Sequence, residues 1–596
     1  MVSPATQLPL EHNHVTPEDD IHMKGNLADL DPLVPGGNQG SYSGENRGRL
    51  SRNRKIFYAT LAIGFMLLLL VLSTSVFAGE LGNERFFIMI EAGSSHTAVF
   101  VYKFSFETTM ITEIGQMHEV FPGLSHLANQ TSQVKTYIRP LVEHAWNALP
   151  KTKKGQVYAF LYASSGLRTL QKSQQDIILE QCFDYLSSFK NKALRVTRSA
   201  VTVISGKQEG VFAWLALHGL LSGQFRKQNA FVPIVQPGSS QSKLRELAKD
   251  GNFGVIDFGG GSIQTVYDLT RSSSALSSNL EDVEQEKGAV MARPEDLQRV
   301  LLFGKEHILF VRSFEGFGRE SLFSRYLQEL SGKTGVYSFN RKGSNEPALK
   351  DETVIPTPCL LTGEEWVGTL KGGASTDRLA FRGTGNFSQC QAQLRTFNIF
   401  RTSHDAHSQF RTCNDGCDCP AQFVRGINGS VIPPAPPKMP FIGISNFGFS
   451  MDALSRVGKT VFGAPSFHFP TFSGIDATNK LSPTTTSHEA FTKATDLFCR
   501  TEVSSVSKHI PEDPSHRTDH CFTATAITEL VDKLGLSDRW LESASVGENS
   551  SEEEKLKRLA QGGLHMIRSV ESKDDANWIV GAAMMEWEEL KKRLEE

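Results

Sequence analysis

The residues that could do chemistry fall at the ends of short apolar runs. Phe86 to Ile90 leads into Glu91-Ala92-Gly93-Ser94-Ser95-His96-Thr97, and a second apolar run, Ala98 to Tyr102, follows. The pattern reads as strand, tight turn, strand. A turn built of Gly and hydroxyl residues points backbone N–H groups at one spot, which suits a phosphate. A carboxylate at its mouth can hold a hydrated divalent cation. Taken alone, the stretch reads equally well as an ordinary Gly-Ser hairpin. The layout recurs, however, in Gly254 to Tyr267, where Asp257 ends one apolar run, Phe258-Gly259-Gly260-Gly261-Ser262 turns, and Ile263-Gln264-Thr265-Val266 leaves. Two acid-tipped turns predict two similar lobes that clamp the two ends of one polyphosphate.

Hydrolysis of a phosphoanhydride needs an in-line water, a base to orient it and a cation to offset phosphate charge. A carboxylate at the start of a helix can serve as that base. Glu209 precedes Gly210 and an apolar helical stretch, Val211 to Leu221. A first-turn Glu that merely complements the helix dipole is the alternative. Competing phosphate motifs fail. Gly332-Lys333-Thr334 and Gly458-Lys459-Thr460 end like P-loops, but Leu327 and Ala453 occupy the positions where the first glycine is required. The chain has no H-E-x-x-H, and no G-x-S-x-G lies between a strand and a helix.

With these residues in place, the sequence resembles the ecto-nucleoside triphosphate diphosphohydrolase (apyrase and nucleoside diphosphatase) family, within the actin–Hsp70–sugar kinase group. The turns at Glu91–Thr97 and Asp257–Gln264 look like two of its conserved regions. Ala163-Ser164-Ser165-Gly166-Leu167-Arg168, Ser205-Gly206-Lys207-Gln208-Glu209-Gly210 and Ala576-Asn577-Trp578-Ile579-Val580-Gly581 look like the others, in the family's order. Phe314-Glu315-Gly316-Phe317-Gly318 is a secondary match. The resemblance implies hydrolysis of the terminal phosphate of nucleoside tri- or diphosphates, with Glu209 as general base and Ser164, Ser262 and Gln264 placing the water. It implies Ca2+ or Mg2+ held by Glu91 and Asp257, largely through water. Phosphate would bind at Gly93, Ser94, Ser95, His96 and Thr97 and at Gly259, Gly260, Gly261 and Ser262. Phe449 and His520 would flank the base. Arg168 is either a phosphate residue or an ion pair between lobes, and Trp578 packs the last region against the cleft. The sequence departs from the family at Glu91, where Asp is usual. Glu is one methylene longer, so altered metal preference is expected. The same departure motivates a second reading, a catalytically weak or silent nucleotide-binding or adhesion protein on this fold, which Glu209, Asp257, Ser262 and Gln264 oppose.

Composition bounds the setting. The chain has 596 residues, a formal net charge of -3 and 39% hydrophobic residues, which argues against a partner held through nucleic-acid phosphates. Ile56 to Ala78 carries no charge and is long enough to span a bilayer as a helix. Arg47, Arg49, Arg52, Arg54 and Lys55 lie just before it, so the positive-inside rule places the N-terminus in the cytosol and the remainder in the lumen or outside the cell. A cleaved signal peptide ending at Ala78 is the alternative. This predicts a single-pass type II membrane protein of the Golgi, the secretory pathway or the cell surface. In an oxidising compartment the eight cysteines read as disulfides. Cys499 with Cys521 is the best pair and Cys359 with Cys390 another. One small-loop bridge is expected among Cys413, Cys417 and Cys419, and Cys182 is set apart. Sequons stand at Asn129, Asn386, Asn428 and Asn549.

The elements that must position these residues are α/β: two RNase H-like lobes with the site in the cleft, plus one N-terminal transmembrane helix. The expected division is a disordered cytosolic tail at 1–55, the anchor at 56–78, lobe I at 84–203 plus 556–596, and lobe II at 204–555, with exposed loops at 272–293 and 542–554.

Overall fold

The computed structural model describes most of 84–270, 294–341, 354–401, 424–461, 484–509, 519–540, 563–566 and 577–595, together with Tyr58 and 63–66. The tail, most of the apolar run at 56–78, both exposed loops, and Cys413, Cys417 and Cys419 lie outside the described residues. Among the described residues no helix is long and apolar enough to cross a membrane. The chain divides into two units, Met1–Leu81 and Gly82–Glu596, and everything below concerns the second.

Two mixed sheets of seven strands each form its frame. The first contains β1 (Glu84–Ala92), β2 (Thr97–Ser105), β3 (Ile111–Glu113), β4 (Val157–Ala163), β5 (Val201–Val203) and β6 (Phe225–Lys227), in the order β5-β4-β1-β2-β3-β6, with a short strand His118–Val120 also paired to β2. The second contains β7 (Gly254–Phe258), β8 (Ser262–Asp268), β9 (Leu297–Leu302), β10 (Lys305–Glu315), β11 (Pro440–Ser445), β12 (Thr484–Thr485) and β13 (Gly563–Met566), in the order β9-β10-β8-β7-β11-β13-β12. Each sheet is built around one hairpin, β1–β2 and β7–β8, flanked by a parallel strand, β4 beside β1 and β11 beside β7. The hairpins seen in the sequence therefore occupy corresponding places in the two sheets.

Helices cover both faces of each sheet. On the outer face of the first, α1 (Val134–Ala148) and α3 (Lys172–Ser188) cover Ile88, Ile90, Val99 and Leu161, while the short α2 (Ser165–Arg168) follows β4. Between the sheets run α4 (Gly206–Leu221) and the final helix α10 (Trp578–Glu595), sharing one core with Phe87, Phe100 and Tyr102 of the first sheet and Val255, Val266 and Val311 of the second. On the outer face of the second sheet, α5 (Arg319–Ser331), α6 (Phe387–Thr396), α7 (Asn446–Val461), α8 (His488–Arg500) and α9 (His520–Lys533) form the largest core. An α-helix apolar on every side must be buried. α4 meets that condition, with only Lys207 and Gln208 short of burial. Gly581 lets α10 approach it, because a Cβ there would overlap the Phe212 carbonyl.

Two boundaries differ from those read in the sequence. Phe225–Lys227, assigned to lobe II, pairs in parallel with β3 of the first sheet. Gly563–Met566, assigned to lobe I, pairs in parallel with β11 of the second. Strands this short carry no period of their own, so partner choice rests on tertiary pairing. Cys359–Cys390 and Cys499–Cys521 are bonded as expected, and Cys182 is a buried free thiol.

Candidate active site

The two turns close in the same way. Gly93 N donates to His96 O and Gly259 N donates to Ser262 O, each at 3.0 Å. The N–H groups of Ser94, Ser95, Gly260 and Gly261 donate to no partner among the described residues. Each turn thus presents the unsatisfied donors of an anion nest. The turns also face one another. A Cβ on Gly260 would lie 2.5 Å from Ser94 Oγ, and one on Gly261 would lie 2.6 Å from Ser165 Oγ. At Gly261 a Cβ would also press on Ser165 Cβ at 2.8 Å, so the absence of a side chain there permits the close approach. His96 sits beside Ser95, with Nδ1 3.2 Å from its hydroxyl and its ring 5.7 Å from that of Phe121.

The acids stand at the strand ends. Glu91 is opposite Ala98 in the first hairpin and Asp257 opposite Gln264 in the second. Both are buried, at 8% and 2% exposure. Asn577 Nδ2 donates to Glu91 Oε2 at 2.5 Å, while Asn577 Oδ1 accepts from Ile579 N and so caps α10. Burial raises the Glu91 carboxyl above the ordinary range, against the opposing pull of His96, Asn577 and Trp578. Burial pushes Asp257 up to about 6, with a hydrogen bond from Ser445 opposing and the Glu91 charge adding to the rise. Asp257 Oδ1 is buried without a hydrogen-bond partner. Among the described residues no three His, Cys, Asp or Glu side chains gather as direct metal ligands. An orphaned buried carboxylate oxygen beside a second acid is a hard, oxygen-only donor set, and it fits Ca2+ or Mg2+.

Glu209 lies in the first turn of α4, 6% exposed. Ser205 caps this helix: its Oγ accepts from Gln208 N at 3.2 Å, and Gln208 Oε1 accepts in return from Ser205 N at 2.9 Å. That capping box fixes where the helix starts, and hence where Glu209 points. Arg168 Nη2 donates to Glu209 Oε2 at 2.7 Å, and Gln264 Nε2 stands 3.4 Å from the same oxygen. Both contacts fall on Oε2, leaving Oε1 free of them. Burial pushes the Glu209 carboxyl up to about 8, with Arg168 opposing and the charges of Asp257 and Glu315 adding to the rise. Ser262 Oγ receives Gln264 Nε2 at 2.9 Å and Arg168 Nη2 at 3.1 Å.

Arg168 also donates through Nε to Glu315 Oε2 at 3.0 Å and through Nη1 to Ile204 O at 3.0 Å. It reaches from the end of α2, beside the first sheet, to β10 of the second, which is the ion pair between lobes. Ser164 stands at the N-cap position of α2 without a side-chain capping bond and is tied to the end of β1 by its N–H to Ala92 O at 3.0 Å. Trp578 is buried and stacks on Phe212 at 6.1 Å. The pair expected at the nucleobase is less alike. Phe449 is half-buried on α7, whereas His520 is 4% exposed and edge-on to Phe498, a wall position rather than an open ring face. Sequence reading missed Ser313, Glu315 as a partner of Arg168, and Asn577 as the residue holding Glu91. Their motifs were visible, but no local pattern shows which side chains meet.

Comparison with known proteins places this geometry. The model of the GDA1/CD39 (nucleoside phosphatase) family matches residues 79–595. The nucleoside-diphosphatase mig-23 of Caenorhabditis elegans is 27% identical over 61% of this chain and 58% of its own length. The chain thus spans a little over half the length of that curated relative. Ectonucleoside triphosphate diphosphohydrolase 1 of Mus musculus is 22% identical over 76% of each chain, and the Golgi apyrase of Schizosaccharomyces pombe is 25% identical over 65% of this chain. Among solved structures, nucleoside triphosphate hydrolases from Neospora caninum align with 84% of this chain and 92% of that one at 14% identity and a TM-score of 0.47. With the family model covering both acid-tipped turns, Glu209 and the closing helix, the chain belongs to the GDA1/CD39 (nucleoside phosphatase) family.

Proposed function

We propose that this protein hydrolyses the terminal phosphate of nucleoside tri- or diphosphates, with Glu209 as general base. The observation that carries this reading is the asymmetry at Glu209: Arg168 and Gln264 both engage Oε2, and Oε1 is left to take a proton. Water attacks the terminal phosphorus in line, the bridging P–O bond breaks, and the water proton passes to Glu209 Oε1. Orthophosphate and the shortened nucleotide leave. Ser164, Ser262 and Gln264 orient the water. The N–H groups of Ser94, Ser95, Gly260 and Gly261 hold the phosphates, with His96 and Thr97 completing the first turn. Glu91 and Asp257 would hold Ca2+ or Mg2+, largely through water, and the cation offsets phosphate charge when bound. Phe449 flanks the nucleobase, and His520, buried edge-on to Phe498, does not offer it an open ring face.

The apolar run at 56–78 anchors the chain as a type II membrane protein, with the site on the luminal side of the secretory pathway or outside the cell. The names of the relatives, a nucleoside-diphosphatase and a Golgi apyrase among them, support this reading. The test is phosphate release by full-length protein in detergent from ATP, ADP, GTP, GDP, UTP and UDP with Ca2+ or Mg2+. Turnover of at least one is expected, together with its loss by a factor of about 100 or more in Glu209→Gln at retained nucleotide binding. No release from any nucleotide would leave only a binding protein on this fold.

A further inference from the structure

The two donors that touch the base are both controlled by one carboxylate. Glu315 Oε2 accepts from Arg168 Nε at 3.0 Å, and Arg168 Nη2 then reaches Glu209 Oε2. The other oxygen, Glu315 Oε1, accepts from Ser313 Oγ at 2.7 Å. With its hydrogen committed there, the Ser313 oxygen accepts from Gln264 Nε2 at 3.2 Å, and that same nitrogen faces Ser262 Oγ and Glu209 Oε2. One chain of hydrogen bonds thus runs from Glu315 Oε2 through Arg168 to Glu209 Oε2, and a second runs from Glu315 Oε1 through Ser313 to the Gln264 amide, whose two hydrogens are shared among Ser313, Ser262 and, at 3.4 Å, the same Glu209 oxygen. Local packing fixes the arrangement. Gly206, at the start of α4, lies directly on Ser313 and Glu315, and a Cβ there would overlap both side chains. The carboxylate therefore sits against the first turn of the helix that carries Glu209, where the backbone favours negative charge.

We propose that Glu315 is a positioning residue for Glu209: through Arg168 on one side and Ser313–Gln264 on the other, it fixes the base so that Oε1 faces the attacking water. This rests on the reading of Glu209 as general base. Glu315 touches neither substrate nor reacting atoms. Its side chain is 48% exposed, so its removal leaves no buried charge of its own behind.

The test uses full-length protein and the variants Glu315→Ala, Glu315→Gln, Ser313→Ala and the double Ser313→Ala/Glu315→Ala, with Glu209→Gln alongside. Misplacing a base by a fraction of a bond length costs up to about 100-fold. Glu315→Ala is expected to lower kcat by roughly 10- to 100-fold with KM within about twofold. Glu315→Gln, which keeps one acceptor, should fall between it and wild type. Ser313→Ala should cost less than Glu315→Ala, and the double variant no more, because both arms end in one carboxylate. The charges facing Glu209 are Arg168 from α2, Asp257 from β7 and Glu315 from β10. Removing the negative charge of Glu315 frees Arg168 to pair with Glu209 alone, so the acidic limb of the kcat profile should move to lower pH in both Glu315 variants. Wild-type kcat with an unmoved limb in Glu315→Ala would overturn the proposal. So would a loss of kcat that merely tracks a lowered Tm and adds to that of Ser313→Ala. Unchanged turnover in Glu209→Gln would remove the base reading itself, and that outcome is distinct from either.

Discussion

Asn577, at the head of the last helix, donates its side-chain amide to Glu91 Oε2 across 486 residues of sequence. The same side chain caps α10 through its carbonyl oxygen, so the end of the chain is pinned to the first acidic turn. Trp578, the next residue, is a second hydrogen-bond partner of the same carboxylate. Shortening Glu91 to Asp draws the carboxylate back from Asn577 by about one C–C bond length. Glu91→Asp is expected to change the ratio of Ca2+- to Mg2+-supported turnover, measured by titrating each ion at fixed nucleotide. Identical ion profiles would argue against a metal role for this position.

The buried acids tie stability to pH. A carboxyl whose folded pKa is raised favours the fold while protonated, and that contribution is lost as pH rises from the unfolded to the folded pKa. The window runs from 3.8 to about 6 for Asp257 and from 4.5 to about 8 for Glu209. Protein in chelator should therefore lose stability from these groups as pH rises through this range. A bound cation offsets the same charges, so stabilisation by Ca2+ or Mg2+ should be larger at pH 8 than at pH 5.5. Thermal melts with and without ion at the two values provide the check, and equal gains at both would contradict it.

Gly318 sits where no side chain fits: a Cβ there would overlap Ser262 N and the Gly260 backbone. Backbone atoms of a hydrogen-bonded turn cannot step aside cheaply. Gly318→Ala is expected to destabilise the protein by about 1–3 kcal/mol and to lower turnover by displacing the second Gly-rich turn. Urea unfolding and phosphate release measure the two effects, and a stable, fully active variant would show that the turn can shift.

The Cys499–Cys521 bridge ties α8 to α9 within the outer core of the second sheet. Replacing both cysteines by Ser should cost about 2–4 kcal/mol, read as a lowered midpoint in denaturant. Reduction with dithiothreitol should lower the midpoint of the wild type by more than that of the variant lacking this bridge.

Much of the geometry of the candidate site was legible because its pieces are local. A strand ending in an acid, followed by a Gly-rich turn and a second strand, is a contiguous pattern, and both hairpins form as read, with Glu91 and Asp257 at their strand ends. The S-G-x-Q-E stretch likewise carries its own capping box, which sets where the helix bearing Glu209 begins. The disulfide pairs followed from the compartment and spacing. His520 was named at the nucleobase by position alone, and the fold buries it against Phe498. Short strands were assigned to the wrong sheet for a related reason: three or four residues do not encode their partner.

The sequence by itself determined the chemistry available, two acid-tipped turns and a helix-borne carboxylate, because each is set by residues within a few positions of one another. Only the tertiary structure decided how they are joined. It set Ser94 against Gly260, brought Asn577 to Glu91, and ran Arg168 from one sheet to Glu209 and Glu315 at the other. Those contacts depend on how two sheets pack around α4 and α10, and packing is a property of whole surfaces that no short stretch of sequence contains.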